Sequence, residues 1–335
     1  MYTGSYPLTC VSLSPTDAHP TTLAQRPNIG YINHQKVCRK RVRWHSRDIP
    51  WLKTREHRNI YYQDVDLFKR QDVVDNLVDD LAYTLGLGRE DLGIVAASKG
   101  LVAGPILLRT RAPSEVDASS GESGVLIPPA RIISQVDFGM TQWVLVIEKE
   151  ATYRTLASAR YWDTSSFGRG ILITGKGYPD LNTKQFLHLL HEAKPELPVF
   201  ALVDFDCHGI AIMRCYSHGT NGQAHERDVT VPSMQWLGIK SNDLVHCHDS
   251  LTGQESDSNA SGRRSAMGES SSFLTARDRK RAANMIKGMS EDGTESDTEC
   301  RRELQVMLFL GVKAEIQAVD DTGDMSKWLD EHMHN

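Results

Sequence analysis

The chain has 335 residues, a formal net charge of −5, 40% hydrophobic residues and 24% charged residues. It is longer than one hydrophobic core usually spans, and its apolar content excludes a chain that is disordered throughout. No apolar run approaches the roughly 20 residues needed to cross a bilayer, and prolines interrupt the first thirty residues where a secretory signal would need a continuous apolar segment. We therefore expect an intracellular protein with no membrane partner.

The N-terminal part of the chain is polar and then strongly basic. Residues 1–35 are rich in Pro, Thr and Ser without helical or strand periodicity, so we expect them to be disordered. Between Lys36 and Arg58, nine Lys or Arg stand against only two acidic residues. This charge fits a solvated tail or nuclear-localisation signal as well as it fits a surface that contacts phosphate.

A helix followed by two short strands is predicted next. Apolar residues recur at helical spacing over 71–87, and glycines follow as an exit signal. Residues 94–96 and 101–103 are apolar triplets around Ser98-Lys99-Gly100, which predicts a hairpin. Residues 89–92 are typical of a short second turn of helix. A helix pair with such a hairpin is typical of a winged helix-turn-helix (CAP-like) domain, which we place at residues 36–112. We expect residues 113–126 to form a surface loop or linker.

From residue 143 onwards, apolar runs alternate with amphipathic segments. This alternation predicts an α/β domain over residues 127–335 with a mostly parallel sheet covered by helices. A tract rich in Ser, Gly and Asn at 250–272 cannot bury surface, so we expect a disordered insertion there. The predicted strands are 143–147, 170–174 and 198–203, and the predicted helices are 151–160, 181–193, 210–216, 274–286, 301–310 and 323–329.

Charged side chains follow these predicted strands where each one ends. Glu148 and Glu150 follow the first, Lys176 lies between two glycines after the second, and Asp204 and Asp206 follow the third. The carboxyl ends of parallel strands meet at one edge of a sheet, so these groups are expected to converge. An oxygen-only cluster suits Mg²⁺ or Mn²⁺, and solvated strand-end acids are the alternative.

Five segments carry the motifs that indicate a family: IYYQDVDLF (60–68), SKGLV (98–102), EKEA (148–151), TGKGYPD (174–180) and KAEIQ (313–317). Together they resemble the meiotic double-strand-break transesterase family, eukaryotic relatives of the topoisomerase VI A subunit. Glu148 with the Asp204-x-Asp206 pair resembles the Toprim domain of topoisomerases and primases. The resemblance covers roughly residues 54–332 apart from the Ser-rich tract.

The resemblance implies a winged-helix domain that carries a tyrosine nucleophile, followed by a Toprim domain that binds Mg²⁺, with Mn²⁺ as a substitute. Residue by residue, it assigns Tyr62 as the nucleophile with Arg58 beside it. It assigns the metal to Glu148, Asp204 and Asp206, and support of the active site or of DNA to Lys99, Glu150, Lys176 and Tyr178.

The activity implied by the resemblance is double-strand cleavage of DNA by transesterification, through a covalent 5′-phosphotyrosyl intermediate, to initiate meiotic recombination. Such a protein acts as a homodimer on chromosomes in the nucleus, and its partners are a topoisomerase VI B-like subunit together with other meiotic break-forming proteins. The chain contains no GxxxxGK[ST] sequence, so we expect no ATP use by the chain itself.

Two other functions remain open on the sequence. A Toprim nuclease would use metal-activated water and would never bond to DNA. A catalytically silent DNA-binding or scaffold paralogue is suggested by residues 1–53, which contain five prolines and no helical stripe where the family has a helical approach to the tyrosine. Asn59 and Cys207 also stand where the family more often has an acidic residue and a proline.

Overall fold

The computed structural model describes residues 55–62, 64–89, 92, 94–95, 98–112, 114–220, 226, 228–244, 271–289, 294–319 and 325–334. All of these belong to one of the two units of the chain, residues 54–335. The predicted disordered residues 1–35, most of the basic segment and residues 250–270 of the predicted insertion lie outside the described residues.

Ten helices and thirteen strands lie within the described residues. The helices are α1 (His57–Tyr62), α2 (Val65–Phe68), α3 (Gln71–Leu85), α4 (Glu150–Ser158), α5 (Tyr161–Thr164), α6 (Leu181–Ala193), α7 (Cys207–Ser217), α8 (Ala276–Gly288), α9 (Glu295–Leu310) and α10 (Met325–Met333). The strands are β1 (Arg55–Glu56), β2 (Ile94–Val95), β3 (Leu101–Ala103), β4 (Leu107–Thr110), β5 (Glu115–Asp117), β6 (Val125–Leu126), β7 (Ile133–Asp137), β8 (Trp143–Ile147), β9 (Gly170–Thr174), β10 (Val199–Leu202), β11 (Gln235–Gly238), β12 (Ser271–Phe273) and β13 (Val312–Ala314). Short 3-10 turns cover Ala130–Ile132 and Ile316–Val319.

A six-stranded sheet forms the centre of the fold, in the order β11-β10-β8-β9-β3-β6. The four strands from β11 to β9 pair in parallel, and β3 and β6 add antiparallel pairs at one side. Every residue of β8, β9 and β10 is buried, as expected for strands that helices cover on both faces. The predicted mostly parallel sheet is confirmed.

The two strands that were predicted to pair as the hairpin of the wing do not pair with each other. Strand β2 pairs in parallel with β1, whereas β3 pairs with β9 and β6 inside the central sheet. Residues 113–126, predicted as a surface loop or linker, contain two strands, since β5 pairs with β4 and β6 pairs with β3. A short apolar run fits a hairpin and a buried sheet strand equally well, so its sequence does not indicate its partner. The structure therefore does not confirm a winged helix-turn-helix domain.

All seven of the longer predicted helices are present, but some of their ends differ: α9 begins at Glu295 rather than at residue 301, and α10 ends at Met333 rather than at residue 329. Helix α3 buries Val74, Val78 and Ala82 and ends at Gly86, whose φ of 65° is a left-handed conformation that favours glycine. Ser271 and Ser272 pair with β13, so the predicted disordered insertion reaches two residues too far. Among the described residues, no helix is both long and apolar enough to span a bilayer.

Candidate metal and nucleic-acid site

Two carboxylates meet where neighbouring parallel strands end. Ile147 and Leu202 are paired in register at the ends of β8 and β10, so the residues that follow them lie side by side. The Asp204 backbone N–H donates to Glu148 Oε2 at 3.0 Å, and the Glu148 N–H donates to the Leu202 carbonyl at 3.0 Å. The strand register thus brings Glu148 and Asp204 together, as the sequence predicted.

The turn between β10 and α7 fixes the two aspartates. Asp204 Oδ1 accepts from the Ile316 N–H at 2.7 Å, and Asp206 Oδ1 accepts from the N–H groups of His208 and Gly209, both at 2.7 Å. Asp206 is thereby the N-cap of α7. A Cβ at Gly209 would lie 2.2 Å from the Asp204 carbonyl oxygen, so only glycine fits this turn.

The acidic cluster, defined as Glu148, Asp204 and Asp206, is electrostatically unfavourable without a cation. Burial and the charges of Asp204 and Asp206 raise the pKa of Glu148 to about 7. Burial also raises the pKa of Asp204, although the Ile316 N–H and Lys149 oppose the shift. Carboxylates held together in this way attract a compensating cation.

The cluster fits a hydrated divalent ion better than a closed metal cage. Within the described part of the chain, no three carboxylate, imidazole or thiolate side chains form a ready-made metal site. Mg²⁺ usually retains several waters and binds through one or two carboxylates together with substrate phosphates. Glu148 and Asp204 provide such a pair, and Asp206 keeps one oxygen outside its capping bonds for a water or the ion.

Lys149 joins the acidic cluster to a distant segment, and we did not predict this role. Its Nζ donates to Glu315 Oε2 and Gln317 Oε1, each at 2.7 Å, and lies 3.5 Å from Asp204 Oδ2. Lys149 belongs to the EKEA motif, and Glu315 and Gln317 belong to the KAEIQ motif. Membership in these two motifs was the only sequence signal that could have pointed to the contact.

A set of predicted support residues also converges beside the cluster. Lys176 Nζ lies 3.1 Å from Glu150 Oε1, and Lys99 Nζ donates to the Lys176 carbonyl at 3.2 Å. The hydrogen bonds from Arg154 and Lys176 lower the pKa of Glu150, so this side chain is an ionised partner of basic groups. Lys176 has a φ of 55°, a left-handed conformation that shapes the turn after β9.

A basic groove lies next to the cluster, between α7 and α8. The Arg281 Nη2 donates to the Tyr178 hydroxyl at 2.7 Å, and this hydroxyl lies 3.4 Å from Nδ1 of His208, two residues after Asp206. The groove has a volume of about 410 Å³, and its basic lining residues are His208, Arg277, Lys280 and Arg281. We predicted Tyr178 but missed the three α8 side chains, which the sequence places far from every motif.

The tyrosine that the motif assigns as the nucleophile is exposed. The Tyr62 side chain is 68% exposed and packs edge-on against Tyr61, with ring centroids 5.3 Å apart. Helix α1 packs on β1, α2 and α3, and the described hydrogen bonds and ion pairs of the acidic cluster involve no residue of α1. The Arg58 side chain lies outside the described residues.

The chain is similar to known proteins over most of this region. Residues 143–330 match the family described as the Toprim domain of the topoisomerase 6 A subunit and Spo11, and residues 53–94 match "Type IIB DNA topoisomerase". Meiotic recombination protein rec12 of Schizosaccharomyces pombe is 36% identical over 78% of this chain and 66% of its own length. Meiotic recombination protein SPO11 of Homo sapiens is 32% identical over 78% of this chain and 61% of its own length.

A plant relative is similar to this chain over nearly the same share of its length. The A subunit of DNA topoisomerase 6 of Arabidopsis thaliana is 30% identical over 79% of this chain and 57% of its own length. The chain thus spans between 57 and 66% of the length of these three relatives. Since the Toprim family matches residues 143–330, more than half of the sequence, the chain belongs to the family of Spo11 and the topoisomerase VI A subunit.

Proposed function

We propose that the chain is the DNA-cleaving subunit of a topoisomerase-like transesterase that makes the double-strand breaks of meiotic recombination. The observation that carries this proposal is the pair of partly buried carboxylates at the ends of β8 and β10, in a chain of this family that also presents an exposed tyrosine at the motif position. The rec12 and SPO11 relatives are named as meiotic recombination proteins, which supports a chromosomal role in the nucleus.

The proposed reaction exchanges one phosphoester for another. Tyr62 Oη attacks a backbone phosphorus, the bond from phosphorus to the 3′ oxygen breaks, and the 5′ end remains linked to the tyrosine. The phenolic proton leaves to a base or water, and the released 3′ oxygen gains a proton. The number of phosphoester bonds is unchanged, so cleavage needs no ATP. A phenol is a weak nucleophile until it is activated, and the Arg58 guanidinium is the charge that we assign to this step.

The acidic cluster would hold the metal ion. Glu148 and Asp204 present carboxylate oxygens on one side, and Asp206 contributes from the N-cap of α7. When bound, Mg²⁺ or Mn²⁺ would stabilise the negative charge that develops on the phosphate and leaving oxygens. The amides of Asp204, Ile316 and Gly209 keep the three carboxylates oriented before substrate arrives.

The basic groove would hold the DNA backbone beside the scissile phosphate. Arg281 donates to Tyr178, and Arg277 and Lys280 line the same groove next to His208. Lys176 lies in the turn after β9, and Lys99 donates to its carbonyl. Cations near an acidic cluster provide phosphate contacts while a metal ion neutralises the cluster itself.

We propose that the active unit is a homodimer in which each Tyr62 works on the acidic cluster of the other protomer. The exposure of Tyr62 supports this arrangement, and so does the packing of α1 on β1, α2 and α3. A topoisomerase VI B-like subunit together with other meiotic break-forming proteins are the partners that we expect, because two cleavages must be coordinated on one duplex.

Covalent linkage to DNA tests the proposal. Purified chain with Mg²⁺, double-stranded DNA and its partner proteins should yield 5′ ends that carry protein after denaturation. Tyr62→Phe should abolish this linkage and keep DNA binding, because only a hydroxyl is lost. Tyr61→Phe, the matched control on the adjacent ring, should keep it. Cleavage that leaves free 5′ phosphates would establish a metal-dependent nuclease, and DNA binding without cleavage would indicate a scaffold.

A further inference from the structure

A segment near the end of the chain is fastened to the turn that carries the aspartates. We call it the C-terminal brace (residues 312–319). Phe205 and Ala314 exchange two backbone hydrogen bonds, 2.9 and 3.1 Å long, and the Ile316 N–H donates to Asp204 Oδ1 at 2.7 Å. The orientation of the Asp204 carboxylate thus depends on where the brace lies.

Lys149 is the side chain that holds both the brace and Asp204. Its Nζ binds Glu315 and Gln317 at 2.7 Å each, and these two residues flank Ile316 in the chain. The same nitrogen lies 3.5 Å from Asp204 Oδ2, the oxygen that the Ile316 amide does not bind. One ammonium group therefore holds the side chains on both sides of the orienting amide and contacts the oriented carboxylate.

The contacts of Lys149 do not have the character of a stabilising surface ion pair. The Glu315 side chain is 64% exposed, and exposed ion pairs contribute little to stability. The Lys149 side chain is only 24% exposed, and its Nζ makes two hydrogen bonds to the brace and one ion-pair contact with Asp204. Groups that orient a metal ligand in this way typically affect metal affinity more than folding.

We propose that Lys149 is a positioning residue for the divalent ion: it holds the C-terminal brace so that Asp204 presents Oδ2 to the metal. This inference rests on the proposed function of the acidic cluster. The charge of Lys149 and its positioning role have opposite effects on the affinity of the acidic cluster for a cation. Removing a positive charge beside three carboxylates would by itself strengthen the attraction of a cation, whereas loss of positioning weakens metal binding.

Titration of the full DNA-free chain with Mn²⁺, followed by electron paramagnetic resonance, separates the two effects. Lys149→Met should weaken Mn²⁺ binding about 10- to 100-fold, and Lys149→Arg should restore most of the affinity because it keeps the charge and the donors. Lys313→Met is the matched control. Lys313 lies in the same brace, and its described ion pair is with Asp278 at 3.2 Å rather than with a carboxylate of the acidic cluster, so its substitution should leave Mn²⁺ affinity unchanged.

Hydrogen exchange provides a readout that does not depend on metal or activity. The Ile316 amide should exchange faster in Lys149→Met than in the unsubstituted chain, and Lys313→Met should not change it. Unchanged or tighter Mn²⁺ binding by a folded Lys149→Met variant would overturn this inference and leave the proposed function intact. Absence of Mn²⁺ binding by the unsubstituted chain would instead overturn both.

Discussion

Replacing Glu148 by Gln should stabilise the metal-free protein while it destroys the proposed metal site. Burial and the two aspartates raise the pKa of Glu148 from the ordinary 4.5 to about 7. Each pKa unit corresponds to about 1.4 kcal/mol, so ionising this carboxyl costs the fold about 3 kcal/mol. The unfolded chain releases this proton at lower pH than the folded protein does. The free energy of unfolding should therefore fall as pH rises from about 4.5 to 7.

Urea denaturation in chelator at pH 5 and pH 8 measures the effect. The amide oxygen that Glu148→Gln introduces can still accept the Asp204 N–H, so the variant should exceed the unsubstituted chain by about 3 kcal/mol at pH 8 and by much less at pH 5. Glu192→Gln, an exposed carboxylate on α6, is the control and should change neither value. Saturating Mg²⁺ should remove the advantage of the variant, because only the unsubstituted cluster gains from the ion. Equal stability of the two proteins at pH 8 in chelator would refute the reasoning.

Three further outcomes follow from particular contacts. Arg281→Gln should weaken DNA binding and reduce the slope of log K against log salt by about 1, as measured by fluorescence anisotropy, and an unchanged slope would place Arg281 off the DNA. Gly209→Ala should displace the Asp204 carbonyl, 2.2 Å from the new Cβ, and abolish Mn²⁺ binding by the folded chain. The pKa of His332 is raised overall: burial lowers it, but the hydrogen bond to Asp243 and the Asp243 charge raise it by more. The ion pair therefore stabilises the fold at low pH, and this stabilisation is lost as pH rises. His332→Gln should thus cost about 1 kcal/mol more at pH 5.5 than at pH 9 in urea denaturation, and equal losses would contradict this assignment.

Helices and strands whose buried residues follow a regular pattern within one continuous segment could be predicted from the sequence. Strands 143–147 and 170–174 and helix 181–193 have the predicted bounds, because apolar runs end at charged or glycine residues and Asp180 caps the helix. The meeting of Glu148 with Asp204 followed from the rule that parallel strands end at one edge. Local sequence and one geometric rule were sufficient for this part of the site.

Features that depend on distant segments could not be predicted. Residues 101–103 form a buried strand whose partner is β9 rather than β2, and nothing within the triplet selects between them. Lys149 meets a residue 166 positions away, and Arg281 meets Tyr178 across 103 positions. From the sequence alone, a charged side chain is expected to be solvent-exposed, and a partner from a distant segment becomes evident only in the folded structure. The sequence of the C-terminal brace therefore indicated the KAEIQ motif but did not indicate that it contacts Lys149.

Mixed dimers test the central claim most directly, which is that Tyr62 of one protomer works on the acidic cluster of the other. A dimer of one Tyr62→Phe protomer and one Glu148→Gln protomer should nick a single strand, because one shared site keeps both groups. A dimer of the unsubstituted chain with a protomer that carries both substitutions should be inactive, because each shared site then lacks one group. The reverse pattern, with the first dimer inactive and the second nicking one strand, would contradict the shared site and show that each chain cleaves with its own tyrosine.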